Sequence, residues 1–483
     1  MSGLKVLSVA SEIFPLVKTG GLADVAGALP RALAPEGVEM RSLVPAYPAI
    51  SGKLADVTIV RDYRDLFGGP ARVLAGRAEG LDLFAIDAPH LYDRPGNPYL
   101  GPDGLDWPDN ARRFAALARV GADIGLGAVA AFEPGVVHAH DWQAALAPAY
   151  LHFAAGRRPG SVVTIHNLAF QGHFPLSVFW ELGLPDRALA IEGVEYFGGV
   201  GYLKAGLQLA DVVTTVSPTY AREIMTPELG MALDGLLRAR SHAVYGILNG
   251  IDEGVWNPAA DPALPQNFGA TRVDLRERNK TVLQAKLELT PGDRPLFAVV
   301  SRLSPQKGLD LLLQALPSLI AKGAQLALLG SGERTLETGF AEAAATRAGS
   351  VGCVFVYDEK LAHLFQGASD FILVPSRFEP CGLTQLCALR YGATPIVSRV
   401  GGLADTVIDA NEAAMAAGVA TGIQFAPLSV EALGYALDRA LAVYRDRGMM
   451  RRMRLNGMRA DVSWRGPARR YAALYRSIAR PAA

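Results

Sequence analysis

The sequence predicts an α/β protein built from two doubly wound parallel sheets. Short runs rich in Val, Ile and Leu alternate with longer segments of helical periodicity, which is typical of βαβ units. The chain has 483 residues, of which 50% are hydrophobic, and this length exceeds what one hydrophobic core supports. The alternation stops once, at residues 248–269, where Asn-Gly and three prolines interrupt it. These observations predict two domains.

The first half opens with the strand pattern LKVLSVA, the helical pattern LADVAGALPRALA and the strand pattern RSLVPAY. Further strands are predicted at 81–87, 135–140, 161–166 and 211–217. Each is a short apolar run bounded by polar or turn-forming residues. This half is predicted to be a Rossmann-like domain spanning residues 1–248.

The second half starts a new series of strand patterns, at 295–303, 324–330, 352–357, 370–376 and 394–400. We predict a second Rossmann-like domain over residues 249–457, followed by a C-terminal helical segment over 458–483. Within that segment, residues 464–480 have the pattern of an amphipathic helix. Periodicity alone does not assign this helix to either domain.

Composition excludes several classes of protein. Formal net charge is zero, and the basic stretch at 445–459 has helical spacing typical of a solvated face, so no nucleic-acid partner is expected. The three cysteines, Cys353, Cys381 and Cys387, form no disulfide framework or zinc-site spacing, which fits a reducing cytoplasm. Glu12 interrupts the first apolar run, and no long uncharged run follows, so neither an export signal nor a membrane span is expected.

Two cations in the stretch FAVVSRLSPQKGLDLLL suggest a diphosphate site. Arg302 ends a predicted strand, and Lys307 precedes a helix N-terminus, which itself favours anions. The alternative is an Arg paired with a nearby carboxylate and a Lys in solvent. The position at a strand end favours phosphate binding.

Glu379 lies between a predicted strand and a helix, in a turn shaped by Pro380 and Gly382. A carboxylate there could accept hydrogen bonds from sugar hydroxyls or stabilise positive charge developing on an anomeric carbon. Its alternative role is to cap the helix. We favour the functional interpretation, and we expect Cys381 to pack as a small buried group.

In the first half, HAHDW and TIHN place His140, Asp141, His166 and Asn167 at strand ends. Asp141 could serve only as a helix cap. Two adjacent polar side chains at a strand terminus, His166 and Asn167, are typical of a ligand cleft. A metal site is not favoured because convergent acidic or thiolate ligands are missing from the pattern.

The stretch KTGGLAD supplies Lys18, Asp24 and flexible glycine backbone that includes Gly21. Its core, GGLAD, recurs at 401–405. The second copy follows its strand directly and is preceded by Val400, so packing is its favoured role. The first copy is separated from its strand by IFPLV, which lets the loop approach a ligand.

Taken together, the motifs of this chain and their order resemble those of the ADP-glucose-using bacterial glycogen synthases and plant starch synthases. The motifs are KTGGLADV, HAHDW, TIHN, NGID, SRL, QKG, PSRFEPCGL and VGGLADTV. The resemblance implies a GT-B architecture, with two Rossmann-like domains facing a deep cleft and a C-terminal helix that crosses back to the first domain. It also implies retaining transfer of glucose from ADP-glucose to the nonreducing 4-hydroxyl of an α-1,4-glucan. No metal or other cofactor is implied.

The resemblance further implies roles for individual residues. Arg302 and Lys307 would hold the donor diphosphate, and Glu379 would lie against the glucose. His166, Asp141 and Lys18 would line the sugar and acceptor side, with Tyr357 stacking on adenine. The other residues expected to contact substrate are Gly21, Asp24, Asn167, Asn249, Cys381, Gly382, Leu383 and Thr384.

The chemistry agrees, because breaking a sugar-diphosphate bond requires stabilisation of negative charge on phosphate and positive charge at the anomeric carbon. Attack from the leaving-group face is favoured, and double displacement stays open. A dehydrogenase would show GxGxxG after its first strand, which here reads SEIFPLVKTGGLAD. An exported sugar-binding protein would show a signal peptide, and a nucleotide-sugar epimerase would not explain KTGGL together with FEPCGL.

Overall fold

The structure, a computed structural model, describes residues 3–356 and 358–480, which form two units. One unit comprises the chain up to Asn249 together with the segment from Trp464, and the other is Gly250–Ser463. The segment before Trp464 stays with the second unit because Ile251 N–H donates to the Val462 carbonyl at 2.9 Å. The C-terminal segment that belongs to the first unit therefore begins at residue 464, whereas the sequence suggested that a C-terminal segment begins at residue 458.

The strands of the first unit are β1 Leu4–Val9, β2 Val38–Pro45, β3 Ala55–Tyr63, β4 Ala71–Ala78, β5 Leu81–Asp87, β6 Val136–His140, β7 Gly160–Ile165, β8 His173–Pro175, β9 Glu195–Tyr196, β10 Gly199–Gly201, β11 Val212–Thr215 and β12 Val244–Gly246. The strands of the second unit are β13 Leu296–Val300, β14 Gln325–Leu329, β15 Val351–Val354, β16 Phe371–Val374, β17 Thr394–Ser398 and β18 Ile423–Phe425.

The helices alternate with the strands over much of the chain, although β3, β4 and β5 are consecutive and so are the last three helices. They are α1 Gly21–Leu33, α2 Pro48–Ser51, α3 Pro89–Tyr92, α4 Asn110–Gly125, α5 Asp141–Ala144, α6 Ala147–Phe153, α7 Tyr202–Leu209, α8 Pro218–Glu223, α9 Asp234–Ala239, α10 Arg276–Lys286, α11 Leu309–Ala321, α12 Arg334–Thr346, α13 Glu359–Ala368, α14 Thr384–Arg390, α15 Gly401–Thr406, α16 Glu412–Ala417, α17 Val430–Arg445, α18 Arg447–Arg459 and α19 Arg465–Ile478. Short 3-10 turns occupy Ala34–Glu36, Leu176–Glu181, Asp186–Ala188, Ser241–Ala243, Ala270–Leu275 and Pro305–Lys307.

Both main sheets are doubly wound, as the sequence predicted. In the first unit the order is β12-β11-β7-β6-β1-β2-β5-β4-β3, parallel except for the antiparallel pairs that β4 forms with β3 and β5. A small antiparallel sheet, β8-β10-β9, lies in the same unit. In the second unit the order is β15-β14-β13-β16-β17-β18, and all pairs are parallel.

The parallel strands are predominantly apolar because each sheet buries both faces. In β13, Phe297 and Val299 belong to one hydrophobic cluster, while Leu296 and Ala298 belong to another on the opposite face. Alternate residues of a strand point to opposite faces. Helices therefore cover each sheet on both sides, which explains why the strand patterns were continuous apolar runs.

The last helix, α19, belongs to the first unit. Tyr471 and Tyr475 are buried there together with Val6 of β1 and Val136 of β6. Tyr475 Oη lies 2.7 Å from His138 Nδ1 in the centre of the sheet. This packing assigns the helix that periodicity alone left unassigned. Among the described residues, no helix is long and apolar enough to cross a membrane.

Candidate active site

The predicted site residues follow the carboxyl ends of strands at the centre of each sheet. In the first unit the strand order reverses at β1, which lies between β2 and β6. In the second it reverses at β13, between β14 and β16. Open parallel sheets bind ligands beside such reversal points. Lys18 and Asp141 follow β1 and β6, and Arg302 and Glu379 follow β13 and β16.

Glu379 and Lys307 form a close ion pair in the second unit. Lys307 Nζ donates to Glu379 Oε2 at 2.6 Å, and Ser376 Oγ donates to the same oxygen at 2.8 Å. Glu379 is only 7% exposed. Its other oxygen, Oε1, accepts no hydrogen bond from any described side chain or backbone group. The carboxylate is thus anchored through one oxygen and keeps the other available to a ligand.

The loops carrying this pair are held together by a close backbone approach and a two-point ion pair. Gly308 has φ +63°, and a Cβ at this position would lie 2.0 Å from the Pro375 carbonyl oxygen. Arg377 donates through both terminal nitrogens to Asp310 at 2.7 Å each. Glycine in QKG therefore permits the contact that brings Lys307 to Glu379.

The side chain of Arg302 is exposed and makes no hydrogen bond or ion pair with the described residues. The alternative considered for the two cations was a paired Arg and a solvated Lys. The structure has the reverse arrangement, in which Lys307 is paired and Arg302 extends into solvent. The guanidinium of Arg302 therefore has no carboxylate partner among the described residues and is accessible to solvent just after β13.

The turn after Glu379 surrounds a small cavity. Its volume is about 60 Å³, and its lining includes Lys307, Glu379, Gly382, Leu383 and Thr384. Gly382 has φ +75°. Gln385 holds the turn by donating through Nε2 to the carbonyls of Cys381 at 3.0 Å and Gly382 at 2.9 Å. Cys381 is buried, as expected for a packing role.

The second GGLAD copy packs directly under Glu379. Gly401 has φ +43°, and a Cβ there would lie 1.9 Å from the Glu379 carbonyl oxygen. Gly402 N–H donates to the same carbonyl at 3.0 Å. These contacts agree with the packing role that the sequence favoured. Val400 has no chemical part in them beyond N-capping α15 with its backbone.

In the first unit, His166 contacts a second histidine. His166 Nε2 lies 3.0 Å from His140 Nδ1, and His140 Nε2 lies 3.2 Å from Ser8 Oγ. Burial lowers the pKa of His140 to about 3 and lowers the pKa of His166 well below its ordinary value. Both rings are therefore neutral near pH 7. The sequence identified His166 but not its dependence on Ser8.

Asp141 follows β6 in the left-handed region, with φ +54°. Its Oδ1 accepts the backbone N–H of His166 at 2.6 Å, and it makes no side-chain cap of α5. The capping alternative is therefore wrong. Burial raises the pKa of Asp141 to about 8, although the backbone N–H groups of His166 and Asn167 act to lower it. At pH 7 the group is mostly a neutral acid that can donate a hydrogen bond.

Lys18 forms an ion pair with Asp24 in the first turn of α1. Its Nζ lies 2.9 Å from Asp24 Oδ1, so these two predicted ligand-binding residues contact each other. Gly21 is exposed and begins α1. Glu12, which the sequence did not single out for function, is buried and accepts the Thr19 N–H, which anchors the loop. Burial raises the pKa of Glu12. The position of Glu12 shortly after β1 was the sequence feature that could have identified it as a candidate site residue.

The remaining predicted residues differ in their surroundings. Asn167 Oδ1 accepts the Ala169 N–H at 3.1 Å and shapes the loop after β7. Asn249 is 7% exposed, and its Oδ1 has no hydrogen-bond partner among the described residues. Tyr357 lies outside the described residues. Within residues 3–356 and 358–480, no group of three or more His, Cys, Asp or Glu side chains could hold a metal ion.

Two family models match this chain. Residues 5–239 match the starch synthase catalytic domain, and residues 283–458 match glycosyl transferases group 1. A glycogen synthase of Rhodopseudomonas palustris is 60% identical over 99% of each chain. A glycogen synthase of Acidiphilium cryptum is 58% identical over 98% of this chain and 99% of the relative.

A solved structure agrees with these matches. The catalytic domain of starch synthase IV from Arabidopsis thaliana, bound to ADP and acarbose, is 33% identical and has a TM-score of 0.89, covering 99% of this chain and all of that one. The two-domain architecture is therefore the GT-B fold. The chain belongs to the glycogen synthase and starch synthase family of glycosyltransferases, and its function is that of a glycogen synthase.

Proposed function

We propose that the enzyme transfers glucose from ADP-glucose to the nonreducing end of an α-1,4-glucan with retention of anomeric configuration. The main support is the anchored carboxylate of Glu379, with one free oxygen, beside the ammonium of Lys307. The solved starch synthase relative is bound to ADP and acarbose, a nucleotide and a sugar-like inhibitor. Adenine nucleotide and glucan are accordingly the proposed ligands here.

Arg302 and Lys307 are the proposed partners of the donor diphosphate. When the sugar-phosphate bond breaks, negative charge grows on the departing phosphate, and fixed cations lower that cost. Arg302 has no competing carboxylate among the described residues. Lys307 has three N–H donors and uses one on Glu379, so it can bind phosphate without releasing Glu379.

Glu379 is proposed to lie against the transferred glucose. Its free Oε1 can accept a hydrogen bond from a sugar hydroxyl, and its charge opposes the positive charge that develops around the anomeric carbon. The turn from Cys381 to Thr384, including Gly382 and Leu383, is proposed to line the donor side. Tyr357 is proposed to stack on adenine.

The first unit is proposed to bind the sugar and the acceptor through Asp141, His166 and Lys18. Gly21, Asp24, Asn167 and Asn249 are proposed to contact substrate around them. We favour attack from the leaving-group face, in which a phosphate oxygen helps to remove the acceptor proton. No metal or cofactor is proposed, and neither is a nucleic-acid or membrane partner. The proposed location is the cytoplasm.

The test supplies ADP-glucose and glycogen and measures ADP release together with incorporation of labelled glucose. Release and incorporation in equal amounts are expected. ADP release without incorporation would indicate a hydrolase and contradict the proposal. UDP-glucose is the matched alternative donor, and equal kcat/KM for both donors would contradict the preference for adenine, since a purine offers Tyr357 a larger stacking face.

A further inference from the structure

Two buried polar side chains, Ser8 and His140, form a hydrogen-bonded line that leads to His166. The proposed mechanism does not use either of them. Ser8 on β1 lies beside His140 at the end of β6, and His140 lies beside His166 after β7. Ser8 and His140 are fully buried, and His166 is 9% exposed. The line ends at His166 Nδ1, which has no hydrogen-bond partner among the described residues. That nitrogen is therefore the one available to a substrate.

Both histidines can be neutral in either of two tautomers, and the tautomers are linked. If His140 carries its proton on Nδ1, it donates to His166 Nε2, and the His166 proton must then reside on Nδ1. If His140 carries its proton on Nε2, His166 donates through Nε2, and its Nδ1 is a bare acceptor. The substrate meets either a donor or an acceptor, depending on His140.

The hydrogen bond between Ser8 and His140 favours one of these two tautomeric states. His140 is the one hydrogen-bond partner of the Ser8 hydroxyl within the described part of the chain. If this hydroxyl accepted a hydrogen bond from His140, its own O–H would be buried without an acceptor. An unmade buried O–H costs more than an unused lone pair. Ser8 therefore donates to His140 Nε2, which leaves the His140 proton on Nδ1.

We propose that Ser8 and His140 are positioning residues that hold His166 as the Nδ1-protonated tautomer, so that His166 presents an N–H donor to an oxygen of the sugar substrate. The low pKa values of both rings support this, because a neutral ring has one proton to place. His138 helps to fix the His140 ring, since their centroids are 4.1 Å apart and Tyr475 and Thr164 hold His138 on both sides.

This inference rests on the proposed role of His166, but its first test does not require activity. The enzyme contains eight histidines, so selective ¹⁵N-histidine labelling with long-range ¹H–¹⁵N NMR can resolve the ring nitrogens. His166→Ala assigns the signals of His166 by their loss. We expect a protonated Nδ1 and a bare Nε2 in the wild-type enzyme, and a mixture of tautomers in Ser8→Ala. A protonated Nε2 in the wild type would overturn the proposal.

The second test compares two amides at position 140. Asn places its amide nitrogen where His has Nδ1, whereas Gln places it where His has Nε2. We expect His140→Asn to stay within about tenfold of wild-type kcat and His140→Gln to lose about 10²-fold, with equal melting temperatures. Equal losses in two folded variants would overturn the proposal. Unchanged turnover in His166→Ala would instead remove His166 from the proposed active site and leave the tautomer result standing.

Discussion

Replacing Gly401 by Val is expected to destabilise the second unit, whereas replacing Gly21 by Val is expected to stop catalysis without destabilising the first. Both glycines belong to the same sequence, GGLAD. Gly401 has φ +43°, and its new Cβ would lie 1.9 Å from the carbonyl oxygen of Glu379. Gly21 is exposed at the start of α1, where its backbone is proposed to contact substrate.

The cost at Gly401 has two parts. A side chain in the left-handed region costs about 1–2 kcal/mol, and displacing backbone to relieve the contact costs about 1–3 kcal/mol more. A total of about 2–5 kcal/mol corresponds to a fall in Tm of roughly 5–20 °C for a unit of this size. Because the displaced carbonyl belongs to Glu379, activity is expected to fall as well, so Tm is the discriminating measurement.

Thermal unfolding and steady-state kinetics of both variants test this expectation. Gly434→Val is the matched control, because Gly434 lies in α17 of the same unit and a Cβ there meets no atom within 4 Å. The control should leave Tm nearly unchanged. A Gly401→Val enzyme with wild-type Tm, or a Gly21→Val enzyme with a large fall in Tm and normal turnover, would refute the reasoning.

Three further predictions concern single side chains. Arg302→Ala should lower kcat by about 10²-fold or more, because a fixed charge on the leaving group is lost; unchanged kcat in a folded variant would exclude Arg302 from the site. Glu379→Gln should nearly abolish transfer while calorimetry still detects ADP-glucose binding, and normal transfer would refute the electrostatic role. Burial raises the pKa of Asp141 to about 8, so the wild type should lose stability as pH rises from the ordinary Asp pKa toward this value, by at most about 1 kcal/mol per pH unit. Asp141→Asn cannot ionise, so its advantage in urea unfolding should widen from pH 5 to pH 8. A constant difference would show that folding does not raise the pKa of Asp141.

Most of the strands that the sequence predicted are buried on both faces, although the predicted β15 is a partly exposed edge strand. An uninterrupted apolar run is the local sign of such a strand, so β1, β5, β6, β13 and β16 could be found from composition alone. By contrast, β3 is an edge strand whose residues are mostly exposed, and β12 and β18 have three residues each. Their strand conformation comes from pairing with a neighbour, which leaves little trace in the local sequence.

The sequence could predict which strand ends carry the site residues, but it could not predict which of these residues contact each other. Lys307 and Glu379 are 72 positions apart, and their pairing depends on β13 and β16 being neighbours. The hydrogen bond from the His166 backbone N–H to Asp141 Oδ1 likewise joins residues 25 positions apart, and it requires β6 and β7 to be neighbours. Helix capping was a reasonable expectation for Asp141, and only the tertiary structure shows that its side chain does not cap α5.

The buried residues His166 and Asp141 of the first unit differ in charge state from Arg302 and Lys307 of the second, and this difference follows the chemistry of the proposed substrates. In the second unit, Lys307 is a cation paired with Glu379, and Arg302 is a second cation without a carboxylate partner among the described residues, which suits a diphosphate and a charge-separating bond cleavage. In the first unit, burial keeps His166 and Asp141 neutral near pH 7. Neutral donors and acceptors can hydrogen-bond glucan hydroxyls without the desolvation cost that buried charges carry. A glucan acceptor is uncharged, so the neutral side chains of His166 and Asp141 suit the proposed acceptor, whereas the cations Arg302 and Lys307 suit the proposed donor.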